Sequence, residues 1–136
     1  MKQPTFLDRP ARELRQFVRI TPSQPIPLRL PDGVVREDIV YDISPTGMQL
    51  RCDKTTAAVI HPLDKPLLTD NLPRVEVELT LPLAEKVELI SVQCRLCYVR
   101  EFLGGRISMG MRFQRLDEEV SEYLQKFIEE SSGSIS

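Results

Sequence analysis

A single histidine, His61, is all the imidazole the chain has. With no second histidine, a Ser-His-Asp arrangement around a general base and a Cys/His metal cluster both lack their parts. His61 falls in a proline-interrupted loop and reads as an ordinary loop residue. Cysteine is scarce too: Cys52, Cys94 and Cys97. The Cys94-Arg95-Leu96-Cys97 spacing resembles half a zinc site or a redox pair. It falls in an alternating strand, however, where residues three apart point to opposite faces. No second pair exists, so these read as buried or half-buried thiols in a reducing compartment. No run approaches the ~18 apolar residues of a membrane span. Met1-Lys2-Gln3-Pro4-Thr5 lacks the apolar core of a signal peptide. The expectation is a cytoplasmic domain with no membrane insertion, no metal, no cofactor and no catalytic residues.

What is present is an ordinary globular composition, with 41% hydrophobic and 28% charged residues. At 136 residues the chain is long enough to bury one core unaided. The net charge of −2 gives no general attraction for DNA or RNA. Its distribution is uneven. Residues 1–36 carry seven basic and three acidic side chains, and the remainder carries eleven and seventeen. A basic arm on an acidic body suits a small anion better than a long polyanion.

Residues 1–13 read as a flexible N-terminal arm, in which Pro10 could open a short helix to about Phe17. Ile26–Leu30 alternates as a first strand, Pro31-Asp32-Gly33 is a turn, and Val34–Ile43 reads as a second strand. Met48–Cys52 returns as a third. Residues 53–73 are irregular, with room for a short strand or helical turn around Thr56–Ile60. Arg74–Leu81 alternates cleanly. Val87–Arg100 is a long strand with Ile90, Val92, Cys94, Leu96 and Tyr98 on one face. Leu103-Gly104-Gly105 turns it into Arg106–Phe113, with Ile107, Met109, Met111 and Phe113 inward. Gly110 leaves a bare spot on the outer side. Asp117 caps a final helix, 117–130, whose apolar stripe is Val120, Tyr123, Leu124, Phe127 and Ile128. About six antiparallel strands and one helix imply an all-β dominated fold, closing as a small Greek-key or meander barrel with the C-terminal helix over one side. The helix's apolar face leaves monomer and homodimer both open.

Two motifs carry chemistry. Ser44-Pro45-Thr46-Gly47 fits a type I turn, with Ser, Pro and Gly where that geometry favours them. Asp42 is not explained by the turn. It shares a face with Ser44, so a carboxylate and a hydroxyl leave one strand end together. Arg15 and Arg19, four apart, share a side in a helix or in an extended chain. Arginine forks onto phosphate oxygens, stacks on bases and matches the guanine O6/N7 edge. A carboxylate accepts from a guanine N1–H and N2–H pair. These residue types suit a guanine nucleotide with phosphates.

The R-x-x-x-R motif at Arg15 and Arg19, followed by D-x-S-x-x-G at Asp42, Ser44 and Gly47, resembles the PilZ domain. PilZ is the bacterial receptor module for cyclic di-GMP. The strand pattern and the late Gly110–Phe113 run before a C-terminal helix agree with it over residues 12–130. The resemblance implies a six-stranded barrel over 14–131 with the ligand on the outer surface; residues 132–136, Ser- and Gly-rich, read as a disordered tail. Arg15 and Arg19 would be its clamps, Asp42 and Ser44 its guanine contacts, and Gly47 would permit the turn and close approach. Arg12, Leu14 and Gln16 are secondary candidates. Leu14 leans toward one ligand per site, because relatives with arginine there tend to bind a stacked pair. The module is a receptor rather than an enzyme. With no output enzyme attached, it is expected to order its arm on cyclic di-GMP and so signal to a downstream protein, as in motility or biofilm regulation. A ligand-independent interaction module is the alternative.

Overall fold

A computed structural model describes residues 19–131. The inferred helix after Pro10, together with Arg12, Leu14, Arg15 and Gln16, lies outside the described residues.

Seven strands form one antiparallel sheet: β1 (Leu28–Arg29), β2 (Val35–Arg36), β3 (Val40–Ser44), β4 (Gly47–Cys52), β5 (Arg74–Pro82), β6 (Val87–Phe102) and β7 (Arg106–Gln114). Their order across the sheet is β2-β1-β5-β6-β7-β4-β3. Two helices accompany them, α1 (Lys54–Ile60) and α2 (Glu118–Ser131). The β-dominated fold with a C-terminal helix is as the sequence implies. The strand count is seven rather than six, because the stretch read as one strand from Val34 to Ile43 is two. Glu37 and Asp38 bend out into solvent between β2 and β3. The two halves then go to opposite ends of the sheet. Among the described residues these ends do not pair with each other, so the hydrogen-bond circuit of a closed barrel is not completed.

The sheet nevertheless curls. Helix α2 packs against both β5 and β3, which stand four positions apart in the strand order. Strands ~4.8 Å apart would separate that pair by about 19 Å if flat, more than the ~10 Å width of a helix. Curling gives the inner faces of β1 and β3 through β7 one shared core, while β2 stays at the surface. Ile43, Leu50, Leu79, Leu96, Met109 and Leu124 are fully enclosed in it. Leu124, Phe127 and Ile128 of α2 are buried there, with Val120 and Tyr123 partly so. The helix stripe is therefore spent on the core.

Local chemistry sets the corners. Gly33, Gly104 and Gly105 have positive φ, the region glycine enters without steric cost. Asp53 caps α1, accepting from the Thr56 N–H at 2.7 Å.

One departure in β6 matters for the site. A bulge between Leu96 and Tyr98 makes Cys97 an extra residue opposite no partner. Alternation slips by one. Val99 takes the inner side opposite Met109, and Tyr98 moves to the outer face opposite Gly110. Tyr98 is therefore not on the Ile90–Leu96 face as strict alternation implies. Its ring fills the bare spot over Gly110, where a Cβ would collide with it.

Cys52 and Cys94 are buried and Cys97 is exposed. Burial pushes the Cys52 thiol up from the ordinary 9.0 to about 11, and the Cys94 thiol to about 12. The folded chain thus keeps protons that the unfolded chain gives up from about pH 9, so this contribution to stability is present below pH 9 and lost as pH rises toward 11–12. A thiol reagent at neutral pH should titrate one group in the native protein and three in denaturant. Denaturant midpoints should fall as pH is raised above 9. Three fast-reacting native thiols would contradict this packing.

Candidate functional site

The site begins at a backbone contact. Ile20 and Ile43 exchange both of their N–H···O=C bonds at 2.9 Å, forming an isolated antiparallel bridge against the edge of β3. Residues on either side of such a bridge alternate faces. Ile20 and Ile43 turn toward the core, and Arg19 is left on the outer side with Asp42. The Arg19 guanidinium donates from Nη1 to Asp42 Oδ1 at 2.5 Å. The arginine side chain is about half exposed, whereas Asp42 is only 8% exposed. Asp42 is thus an enclosed carboxylate whose described charge partner is Arg19.

The turn is tighter than its exposure suggests. Ser44 pairs directly with Gly47, and Pro45 and Thr46 form the two-residue corner. Ser44 is buried. Its Oγ accepts from the Thr46 N–H at 3.3 Å, lies 3.3 Å from the Thr46 hydroxyl and donates to the Gly47 carbonyl at 3.3 Å. The hydroxyl therefore braces the corner from within. Gly47 has no positive φ, so the turn itself does not demand glycine. The neighbouring strand does: a Cβ at 47 would run into the Met111 carbonyl oxygen and the Arg112 Cα. Both are backbone and cannot swing aside.

Around these residues lies a cleft of about 370 Å³ on the outer face of β3, β4, β7 and β6, lined by Arg19, Asp42, Gly47, Gln49, Tyr98 and Arg112 among others. Gln49 is held by donating from Nε2 to Ser108 Oγ at 2.6 Å. Arg100 lies over the Tyr98 ring at 4.8 Å. Along the same face, the Arg51 guanidinium lies 3.4 Å from the Tyr41 ring centroid and 5.3 Å from that of Phe102, a stacked contact that covers the surface there.

The structure brings together Arg19, Asp42, Ser44 and Gly47 of the sequence-derived site. Arg15 and the secondary positions Arg12, Leu14 and Gln16 fall outside the described residues. Sequence reasoning did not place Tyr98, Gln49 or Arg112 at the site. Tyr98 was hidden by the bulge. Arg112 falls in the Gly110–Phe113 run, which in the sequence is a strand signature, and its outward position follows from the burial of Met111 and Phe113 on either side. Among the described residues no group of His, Cys, Asp and Glu could hold a metal ion. No described helix is long and apolar enough to cross a membrane.

The sequence profile of the PilZ domain matches residues 13–130, nearly the whole chain. The chain belongs to the PilZ domain family. No curated protein sequence matches it. Among solved structures, this PilZ domain is similar to the Bacillus subtilis inhibitor of motility, MotI/DgrA, with a TM-score of 0.65 and 12% identity. That match covers 88% of this chain and 52% of MotI, so the chain spans about half the length of that relative. At this identity the likeness speaks for the fold. The PilZ domain of CeSA from a cellulose-synthesizing bacterium matches with a TM-score of 0.47 and 14% identity, over 88% of this chain and 99% of that one. Borreliella burgdorferi PlzA, solved in complex with c-di-GMP, matches with a TM-score of 0.49 and 11% identity, over 91% of this chain and 55% of PlzA.

The asymmetry of the Arg19–Asp42 pair gives a test. Arg19→Ala leaves an enclosed carboxylate without its partner and should cost about 1–3 kcal/mol. Asp42→Asn leaves a half-exposed guanidinium that water can solvate and should cost about 1 kcal/mol or less. Urea denaturation of both variants measures the difference. Equal costs would mean that Asp42 is not enclosed as described.

Proposed function

We propose that this PilZ domain is a non-enzymatic receptor for cyclic di-GMP, and that ligand binding orders its N-terminal arm into a surface read by a downstream protein. The observation that carries the proposal is the Arg19–Asp42 pair, held beside Ser44 and Gly47 in an outer-face cleft. Membership in the PilZ family supports the same ligand class.

The chemistry follows from the residue types. Without ligand, Arg19 and Asp42 satisfy each other. A guanine presenting N1–H and N2–H offers Asp42 two donors in place of one. The freed Arg19 fork turns, with Arg15, to phosphate oxygens or the guanine O6/N7 edge. One internal ion pair is thereby exchanged for two charge-assisted contacts to ligand. Each such hydrogen bond contributes about 1.5–3 kcal/mol, offset by the lost ion pair and by the entropy of fixing the arm. Ser44 shapes the corner on which the guanine rests, and Gly47 keeps the floor flat enough for close approach. Leu14 favours one ligand per site.

Because Arg19 directly precedes the Ile20–Ile43 bridge, occupancy of the cleft is coupled to the path of the chain that leads into it. That is a disorder-to-order switch of the kind common in signalling modules. Asp42 and Ser44 have no histidine beside them to act as a base, so binding without turnover is the consistent reading.

Titration calorimetry with cyclic di-GMP is the direct test. Wild type should bind, and Arg19→Ala should bind about 10- to 100-fold more weakly. Absence of wild-type binding at tens of micromolar ligand would sink the receptor reading and favour a ligand-independent interaction module. Appearance of a cleaved nucleotide would sink the non-enzymatic part.

A further inference from the structure

Strand pairing places three arginines side by side. Arg74 of β5 is directly opposite Arg95 of β6, and Arg95 is directly opposite Arg112 of β7. The same row continues through Gly47 of β4 to Ser44 of β3. The sequence neighbours Val75, Cys94, Leu96, Met111 and Phe113 are all buried, so the three arginines face outward together. Directly opposed residues have Cβ atoms ~5 Å apart, and like charges in that relation repel.

Proteins usually relieve such a row with an interleaved acid. Here, among the described residues, none of the three guanidinium groups has a hydrogen-bond or ion-pair partner, and Arg95 Nε is buried without one. The acids along this face make their described contacts elsewhere: Glu76 accepts from Ser91 Oγ at 3.3 Å and keeps its charge without pairing to the row, Glu78 lies 3.7 Å from Arg29, and Asp42 holds Arg19. The row also runs into the cleft. Arg112 lines it and Gly47 is its bare floor, while Arg95 stands one strand further out.

We propose that Arg112 and Arg95 form a second phosphate subsite of this cleft, with Arg74 beyond them as a longer-range attractor. This inference rests on the receptor reading. A cyclic dinucleotide carries two phosphodiesters. One is taken by Arg19 at one rim. The other, lying across Gly47, meets the Arg112–Arg95 row at the opposite rim. Charge repulsion among the arginines is relieved when the phosphate arrives, so affinity is drawn from a contact that is unfavourable in the empty site. The row thereby selects ligands with two phosphodiesters.

Calorimetry on the full chain with cyclic di-GMP tests it, using Arg112→Ala, Arg95→Ala and, as a control for net charge, Arg106→Ala. Arg106 is exposed on the same strand, outside the cleft lining. Wild type should bind one ligand per chain. Arg112→Ala should raise Kd about 10- to 100-fold and Arg95→Ala a few-fold, with Arg106→Ala within twofold of wild type. Without ligand, Arg112→Ala should melt at or above the wild-type temperature, because a like charge has been removed. If wild type binds and Arg112→Ala binds equally well, the subsite is wrong while the receptor reading stands. If Arg106→Ala weakens binding as much as Arg112→Ala, bulk charge is responsible and the subsite is again wrong. A stoichiometry near two would assign the row to a second ligand copy and overturn the proposal. If wild type itself does not bind, the receptor reading falls and the subsite falls with it.

Discussion

The pair of backbone hydrogen bonds between Ile20 and Ile43 is the contact on which the site depends. It fixes where the chain after the arginine motif meets the sheet. It also fixes the face on which Arg19 emerges. With Ile43 enclosed in the core, the bridge can hold only one register, because a slip by one residue would turn an isoleucine outward and Arg19 inward. The ion pair to Asp42 is then a consequence of backbone geometry. Arg19 and Asp42, 23 residues apart in sequence, come together because a single edge bridge joins their segments.

A second constraint is the close packing of β4 and β6 against β7. Gly47 lies against the Met111 carbonyl, and Gly110 lies under the Tyr98 ring. Both glycines are needed for space and neither for an unusual backbone conformation. Together they flatten the outer face between Asp42 on one rim and Arg112 on the other. The Tyr41–Arg51–Phe102 stack occupies the face further along. The cleft thus lies over these two glycines, with Arg19 and Asp42 on one rim and Arg112 on the other.

Much of this was legible in the residues. Alternation located β4, β5 and β7 closely, and the helix stripe identified the buried side of α2, since Leu124, Phe127 and Ile128 follow the 3.6-residue period that burial enforces. The shared face of Asp42 and Ser44 follows from period-two geometry alone. What could not be read has physical causes. The bulge at Cys97 has no sequence signal, because the residues around it are as strand-like as any others. The slip it introduces hid Tyr98 from the outer face. The split between β2 and β3 was masked by the β-branched Val34 and Val35, which favour strand although both are exposed. The arginine row is a property of register. Arg74, Arg95 and Arg112 lie about twenty residues apart, and only the pairing of β5 with β6 and of β6 with β7 makes them neighbours. Arg19 was legible as half of a clamp, but its ligand-free partner, Asp42, required the edge bridge.

The proposed binding of cyclic di-GMP on this outer face, where Arg19 meets the Asp42–Gly47 corner, is open to a direct measurement. Amide chemical-shift mapping by NMR during titration with cyclic di-GMP tests it residue by residue. The largest changes should fall on Arg19, Ile20, Asp42 through Gly47, Tyr98 and Arg112, with the exposed strip at Val87 and Leu89 unaffected. Saturable changes centred on Val87 and Leu89, or no changes at all, would contradict it.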